Sequence, residues 1–363
     1  MQVAYELTGL ELDQTGSARY VRALRGALKQ LSQVELVDVR HSGTAVPGRA
    51  SRVRRGLARE LVYLPMGLSR TLRSQGVALL HCPAPLAPYR SPVPFVVTVH
   101  DALAWDHPEW LARANAAQIR FALPRALRRA ALTLTGSEFS RDRLSAALGL
   151  DPARIRVTPY GLDPRFTPGP RAEALLARLG VHRPYVLTVG TLQPRKNVEA
   201  LLHASNALRA DGVDHELVVV GARGWLDDRL LRQLGAEALT GAVHLTGRVS
   251  DAELVDLYRG AELFVFPSRY EGFGFPVLEA MACGTVVIAA DRGSLPELVG
   301  DAGVMVDPDE PRALQIALGE LLSASPRREE LVARGLRRSG EFTWQRCAEL
   351  TLDAYRSALV ISA

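Results

Sequence analysis

Short apolar runs recur along the chain at the spacing of a parallel α/β sheet. In the first half, Gln2–Leu7, Val34–Val39, Val77–His81, Phe95–His100, Leu132–Thr135 and Arg154–Pro159 read as strands. In the second half, Tyr185–Val189, Leu217–Gly221, Val243–Leu245, Leu263–Phe266, Val286–Ala290 and Val304–Val306 restart the same grammar. Runs rich in β-branched and aromatic residues, with little polar alternation, suit strands buried on both faces. Helical patterns separate them. One runs through Tyr20, Leu24 and Leu28, and a long one covers Pro108–Ala131. Another runs from Val277 to Cys283 and is stopped by Gly284. Ser137 caps a further helix, and Ser250 with Glu253 has the spacing of a capping box. Strand, loop, helix, strand predicts an α/β fold built on parallel sheets.

The grammar breaks once. Pro164, Pro168, Gly169 and Pro170 cluster between two periodic regions, which is a linker signal. We therefore expect one domain over 1–170 and a second over 171–342, with 343–363 forming a last helix. A chain of 363 residues is long enough for two such domains with their own cores.

The densest candidate chemistry lies in 261–300. The strand Leu263–Phe266 runs into a glycine-bearing turn, Glu271-Gly272-Phe273-Gly274-Phe275-Pro276, and then into the helix. Ligands of open parallel sheets sit at the strand C-terminal ends. Glu271 lies in the turn and Glu279 eight residues on, about two helical turns away and on or near the same face. Gly272 and Gly274 let backbone N–H groups approach an anion at the helix N-terminus. A second loop, Gly190-Thr191-Leu192-Gln193-Pro194-Arg195-Lys196-Asn197, precedes a helix from Val198. Two cations at a helix N-terminus oppose the macrodipole unless they share an anion, which points to a phosphate site. Gly16, in the loop after the first strand, is a weaker candidate, because no G-x-G-x-x-G accompanies it. His100-Asp101 ends a strand where chemistry sits in such sheets. Trp105, His107 and Trp110 follow, either lining a cleft or packing.

Charge changes the picture in one respect. Residues 1–180 hold 25 Arg plus Lys against 14 Asp plus Glu, whereas the remainder holds 19 against 25. The basic half includes Arg49, Arg52, Arg54, Arg55, Arg59, Arg70 and Arg73 around an apolar run. That segment reads as a solvated helix or as an element that meets an anionic membrane surface. Lys29 and Lys196 are the two lysines, which singles out Lys196. Cys82, Cys283 and Cys347 are far apart and form no C-x-x-C pair, so a reducing compartment without a structural metal is expected. Asp307-Pro308-Asp309 mimics a metal motif but falls between a strand and a helix, and is read as a turn. No apolar run has the length of a membrane span, and the first residues lack a basic region with a cleavage site. The expected location is the cytoplasm, with peripheral contact on the inner membrane face open.

The spacing Glu271-x7-Glu279, in the wording EGFG-P-x-LEAMA-G, resembles the signature of retaining glycosyltransferase family 4. The wording GT-x-x-PRKN is similar to a mannosyltransferase-rich branch of that family, with Thr191 where an arginine is usual. Family members also carry a Gly-Gly-x-Gly run near the first strand, and this chain has Asp13-Gln14-Thr15-Gly16 there. The resemblance implies a GT-B architecture: two Rossmann-like domains facing across a cleft, the last helix crossing back to the first domain. It implies that the N-terminal domain binds a glycan or lipid-linked acceptor and the C-terminal domain a nucleotide sugar, with GDP-mannose favoured. By resemblance, His100 and Glu271 are catalytic and touch the donor sugar, Glu279 holds the ribose, Arg195 and Lys196 hold the pyrophosphate, and Val249 lies beside the base. Gly16, Gly190, Thr191, Gly247, Gly272, Phe273, Gly274, Phe275 and Leu278 complete the implied donor site. Neither a cofactor, a metal nor nucleic acid is expected. A sugar-nucleotide epimerase of the same fold, or a non-catalytic nucleotide-sugar-binding protein, stays open. A nicotinamide dehydrogenase is disfavoured by the missing dinucleotide fingerprint.

Overall fold

The structure is a computed structural model that describes residues 1–8, 16–40, 67–85, 87–224, 228–323 and 326–362. The arginines from Arg49 to Arg59, and Asp13 to Thr15, lie outside the described residues. The chain divides into two units, Met1–Gly161 with Thr343–Ala363, and Leu162–Phe342.

Unit 1 holds a six-stranded parallel sheet. Its strands are β1 (Gln2–Glu6), β2 (Glu35–Val39), β3 (Leu79–Cys82), β4 (Phe95–Thr98), β5 (Leu132–Thr135) and β6 (Ile155–Val157), in the order β2-β1-β3-β4-β5-β6. The residues of β3, β4 and β5 are all buried, as helices on both faces require. The helix Trp344–Ile361 belongs to this unit. Thr343 caps it, and Tyr355 at its buried face meets His81 of β3 at 2.6 Å.

Unit 2 repeats the plan with β7 (Tyr185–Val189), β8 (Glu216–Val220), β9 (Val243–Gly247), β10 (Leu263–Phe266), β11 (Val286–Ala290) and β12 (Val304–Val306). The order is β9-β8-β7-β10-β11-β12, all parallel. That is the strand order of a doubly wound dinucleotide-type sheet. Val186, Leu217, Leu263, Val265 and Ile288 pack with the helices Val198–Ala210 and Pro311–Leu322 into one apolar core. Ser250 and Glu253 form the expected capping box.

Three expectations need correction. The junction between units falls at Gly161/Leu162, not 170/171. Tertiary contacts override the Pro/Gly signal there: Phe166 packs edge-on against Tyr258, and Arg259 donates to the carbonyl of Thr167 at 2.8 Å. The helix expected over Pro108–Ala131 is a short turn at Pro108–Trp110 and a separate helix at Arg113–Leu127. Leu111 between them is extended, with φ −121° and ψ 155°, and interrupts the helical bonds. Finally, the helix after Glu271 spans Phe275–Ala282, two residues earlier than the expected start at Val277, and Gly274 at φ 114° separates it from the turn that holds Glu271. Glu271 and Glu279 therefore do not share a helical face.

Candidate functional site

The sheet of unit 2 reverses its order of growth between β7 and β10, and loops leaving the C-terminal ends of such a pair open a crevice. The loop after β7 supplies Arg195 and Lys196 through a 3-10 turn at Pro194–Lys196. Asn197 follows in the left-handed region at φ 54°, and its amide donates to the carbonyl of Pro308 at 3.0 Å. The loop after β10 supplies Ser268 and Glu271. The N–H of Arg269 donates to the carbonyl of Arg195 at 2.8 Å and ties the two loops together.

These loops converge on one carboxylate oxygen. Lys196 Nζ lies 2.6 Å from Glu271 Oε1, and an Arg195 guanidinium nitrogen lies 2.8 Å from the same atom. The Ser268 hydroxyl donates to it as well. The other face of the ammonium is covered by the Phe266 ring, whose centroid is 4.4 Å from Nζ. Glu271 is only 8% exposed. Burial pushes its carboxyl up, but the charges of Arg195 and Lys196 and the bonds from Lys196 and Ser268 outweigh this and hold it at about 2. Lys196 bears the cost of burial and the repulsion of Arg195; the attraction of Glu271 offsets only part of that, and its pKa falls to about 8. Two cations share one anion, so the cluster keeps a net positive charge at neutral pH.

Close backbone packing holds this geometry. At Gly221, with φ +147°, an added Cβ would lie 2.0 Å from the carbonyl oxygen of Gly190, so the turns after β7 and β8 touch main chain to main chain. At Gly293, with φ +65°, an added Cβ would lie 2.8 Å from the carbonyl oxygen of Glu271. That contact lets Ser294 donate its N–H and its hydroxyl to the same carbonyl, each at 3.1 Å.

The structure thus gathers Gly190, Arg195, Lys196 and Glu271. Thr191 stands in the same loop. Gly247 ends β9 and accepts the N–H of Gly221 at 2.9 Å, with Val249 half-buried two residues on. Gly272 follows Glu271. Phe273 and Phe275 pack edge to face at 5.3 Å. Leu278 is fully buried. Glu279 is 2% exposed and accepts a hydrogen bond from the Tyr258 hydroxyl at 3.0 Å. Ser268, Phe266, Gly293 and Ser294 belong to none of the motifs read from the sequence.

Gly16 and His100 belong to unit 1. Gly16 opens the helix Gly16–Leu28 after β1. His100 stands just past β4, its Nδ1 2.7 Å from the Tyr160 hydroxyl. Its Nε2 is buried and has no hydrogen-bond partner among the described residues. Burial lowers the pKa of the ring to about 4, so it is neutral at physiological pH. A groove of about 440 Å³ is lined by Pro108, Glu109, Arg113, Ala116, Ala117 and Arg120. His107 stacks on Trp110 beside it, with ring centroids 4.0 Å apart, while Trp105 packs on the core. Asp307 and Asp309 close a turn, the N–H of Asp309 donating to Asp307 at 2.9 Å, and both pair with Arg292. Among the described residues no helix is long and apolar enough to cross a membrane.

A nucleotide-type sheet with a buried charged cluster at its switch point defines a class of α/β proteins, and comparison narrows it. Residues 178–338 match the family described as Glycosyl transferases group 1, and residues 14–166 match Glycosyltransferase Family 4. The chain is 36% identical over 269 residues to the O-antigen chain mannosyltransferase B of Escherichia coli, covering 72% of this chain and 70% of the relative. Among solved structures it resembles a sucrose-phosphate synthase from Thermosynechococcus elongatus, with TM-score 0.77, 22% identity and 98% of each chain covered. It also resembles Anabaena HepE in complex with UDP-glucose, with TM-score 0.73 and 18% identity over 98% of this chain and all of the other. The fold is of the GT-B type. The chain belongs to the group 1, family 4 glycosyltransferases and is a glycosyltransferase enzyme of the mannosyltransferase-like kind.

Proposed function

We propose that this enzyme transfers mannose from GDP-mannose to a hydroxyl of a glycan or lipid-linked acceptor in cell-envelope polysaccharide synthesis, with retention at the anomeric carbon. The observation that carries the reading is the buried cluster of Lys196, Arg195 and Glu271 at the switch point of unit 2. A leaving diphosphate develops negative charge as the glycosidic bond breaks, and fixed cations in a poorly solvated site stabilise that charge without reorganising. Lys196 and Arg195 take the diphosphate. Glu271, beside them at the end of β10, holds the sugar hydroxyls, and Glu279 the ribose. His100 of unit 1 contacts the sugar. The similarity to an O-antigen chain mannosyltransferase supports mannose and a polysaccharide product. Because protein cations carry the leaving-group charge in this scheme, no metal is required.

The groove beside Trp110 is our candidate for acceptor contact, and the basic Arg49–Arg73 segment for peripheral contact with anionic lipid. Co-sedimentation with anionic and neutral vesicles at low salt tests the latter; equal, negligible binding to both sinks it. The donor is tested by turnover of GDP-mannose beside UDP-glucose and other nucleotide sugars, with the product anomer read by NMR. Turnover of GDP-mannose with an α product is expected. A changed sugar nucleotide formed from donor alone would make the protein an epimerase. Donor binding with no turnover on any acceptor would make it a binding protein.

A further inference from the structure

Sequence motifs pick out His100 but say nothing of which ring nitrogen carries its proton. We propose that Tyr160 is a positioning residue that holds His100 in the tautomer protonated at Nε2, so that the ring meets the donor sugar as a hydrogen-bond donor and not as a base. The inference rests on the reading that His100 contacts the sugar.

A neutral imidazole has one donor nitrogen and one acceptor nitrogen. Which is which follows from the partner of the nitrogen that is already engaged. Here that is Nδ1, 2.7 Å from the Tyr160 hydroxyl. Burial, first of all, then Tyr20, Cys347 and Asp101 raise the pKa of Tyr160 well above the ordinary range, so the phenol keeps its proton. A phenol O–H is a better donor than a neutral imidazole N–H, and an imidazole nitrogen is a better acceptor than a phenol oxygen. The bond therefore runs from Tyr160 O–H to Nδ1, and the ring proton sits on Nε2. That atom is the buried one without a partner among the described residues. A buried donor left unpaired is costly, and an oxygen of an incoming ligand relieves the cost.

The surrounding packing makes the orientation specific. Gly136, just past β5, leaves room for the phenol: a Cβ there would lie 2.7 Å from Tyr160 Cζ. Tyr20 stands edge-on to His100 at 5.1 Å and against Tyr160 at 4.4 Å, which fixes both rings. Tyr20 is itself anchored. Its hydroxyl meets Thr98 Oγ1 at 3.0 Å, and Thr98 also meets His81 Nε2 at 2.9 Å. His81 in turn meets Tyr355 of the helix Trp344–Ile361 at 2.6 Å. The orientation of His100 is thus set by residues from β3, β4, the first helix and the last.

Long-range ¹H–¹⁵N NMR of the full chain reads the tautomer directly, with His100 assigned by comparison with His100→Ala. The wild type should show the Nε2-protonated pattern, and Tyr160→Phe should show a mixture. In turnover of GDP-mannose, Tyr160→Phe should lower kcat/KM about 10- to 100-fold, the scale of one strong hydrogen bond. In the His100→Ala background the same change should cause no further loss. A wild-type ring protonated at Nδ1, or a loss from Tyr160→Phe that adds fully to that of His100→Ala, would overturn the proposal. If GDP-mannose is not turned over, the proposed function fails while the ring-nitrogen shifts still decide this inference.

Discussion

Lys196 and Glu271, 75 residues apart in the chain, meet at 2.6 Å inside the crevice between β7 and β10. The pair is not closed on itself, because Arg195 binds the same oxygen at 2.8 Å. Arg195 also donates to the carbonyl of Tyr270 at 2.8 Å and to Gln193 Oε1 at 3.1 Å, so its guanidinium is held by both loops. In the function proposed above, the carboxylate that holds the sugar also positions the two cations that take the diphosphate.

Lys196→Ala removes one cation and leaves Arg195 to balance Glu271 alone. Affinity for GDP should fall by about 1.5 to 3 kcal/mol, the scale of a charge-assisted hydrogen bond, or roughly 10- to 150-fold. Isothermal titration calorimetry checks this, and unchanged affinity would remove Lys196 from the diphosphate site.

Burial with Arg195 nearby, only partly offset by Glu271, lowers Lys196 to about 8, so its charge is present below that pH and lost as the pH rises through it. A bound diphosphate favours the charged form. GDP affinity should therefore weaken between about pH 7 and about pH 9, with proton uptake on binding near the midpoint. Calorimetry in buffers of different ionisation enthalpy measures that uptake. Lys196→Arg should flatten the dependence, since a guanidinium stays charged throughout. A pH-independent wild type would contradict the shifted lysine.

The two glutamates should fail differently. Glu271→Gln keeps the shape but removes the charge beside the reacting sugar, so kcat should drop about 10- to 1,000-fold. Its loss also releases Lys196 and Arg195 from their internal anion, so GDP affinity should hold or improve. Glu279→Gln weakens a contact made equally in ground and transition states, and should mainly raise the donor KM. Melting temperatures must first show both variants folded. Wild-type kcat in Glu271→Gln together with a lost kcat in Glu279→Gln would reverse the orientation assigned to the donor.

With Arg195 and Lys196 carrying the leaving-group charge, turnover should survive an excess of EDTA. Activity abolished by the chelator and restored by magnesium or manganese would replace these cations with a metal in the mechanism.

How much of this was legible beforehand differs by element. The strands Tyr185–Val189, Leu263–Phe266 and Val286–Ala290 stand in the structure at the boundaries read from the chain. Burial on both faces demands an unbroken apolar run, and such a run is visible locally. Glu271, Arg195 and Lys196 were legible as residue types in motifs, because loop chemistry at strand ends leaves short-range signatures. Their mutual contact was not, since it depends on β7 and β10 lying side by side although β8 and β9 intervene in the chain. Part of the negative charge that two cations at a helix start demand is internal, supplied by Glu271. Glu279 was expected on or near the same face as Glu271, but the left-handed Gly274 sets the turn that holds Glu271 apart from the helix that holds Glu279.

The amino-acid order by itself determined the two parallel sheets, the family and the identity of the charged groups, because each rests on local periodicity or on contiguous residues. Tertiary structure alone decided that Leu162–Pro170 joins unit 2, through Phe166 on Tyr258, and that Ser268, Phe266 and Gly293 shape the Glu271 site. It alone set Tyr160 against His100. These contacts join residues far apart in sequence whose types are ordinary in any core. Their chemistry comes from juxtaposition, and juxtaposition is fixed only when the sheets close.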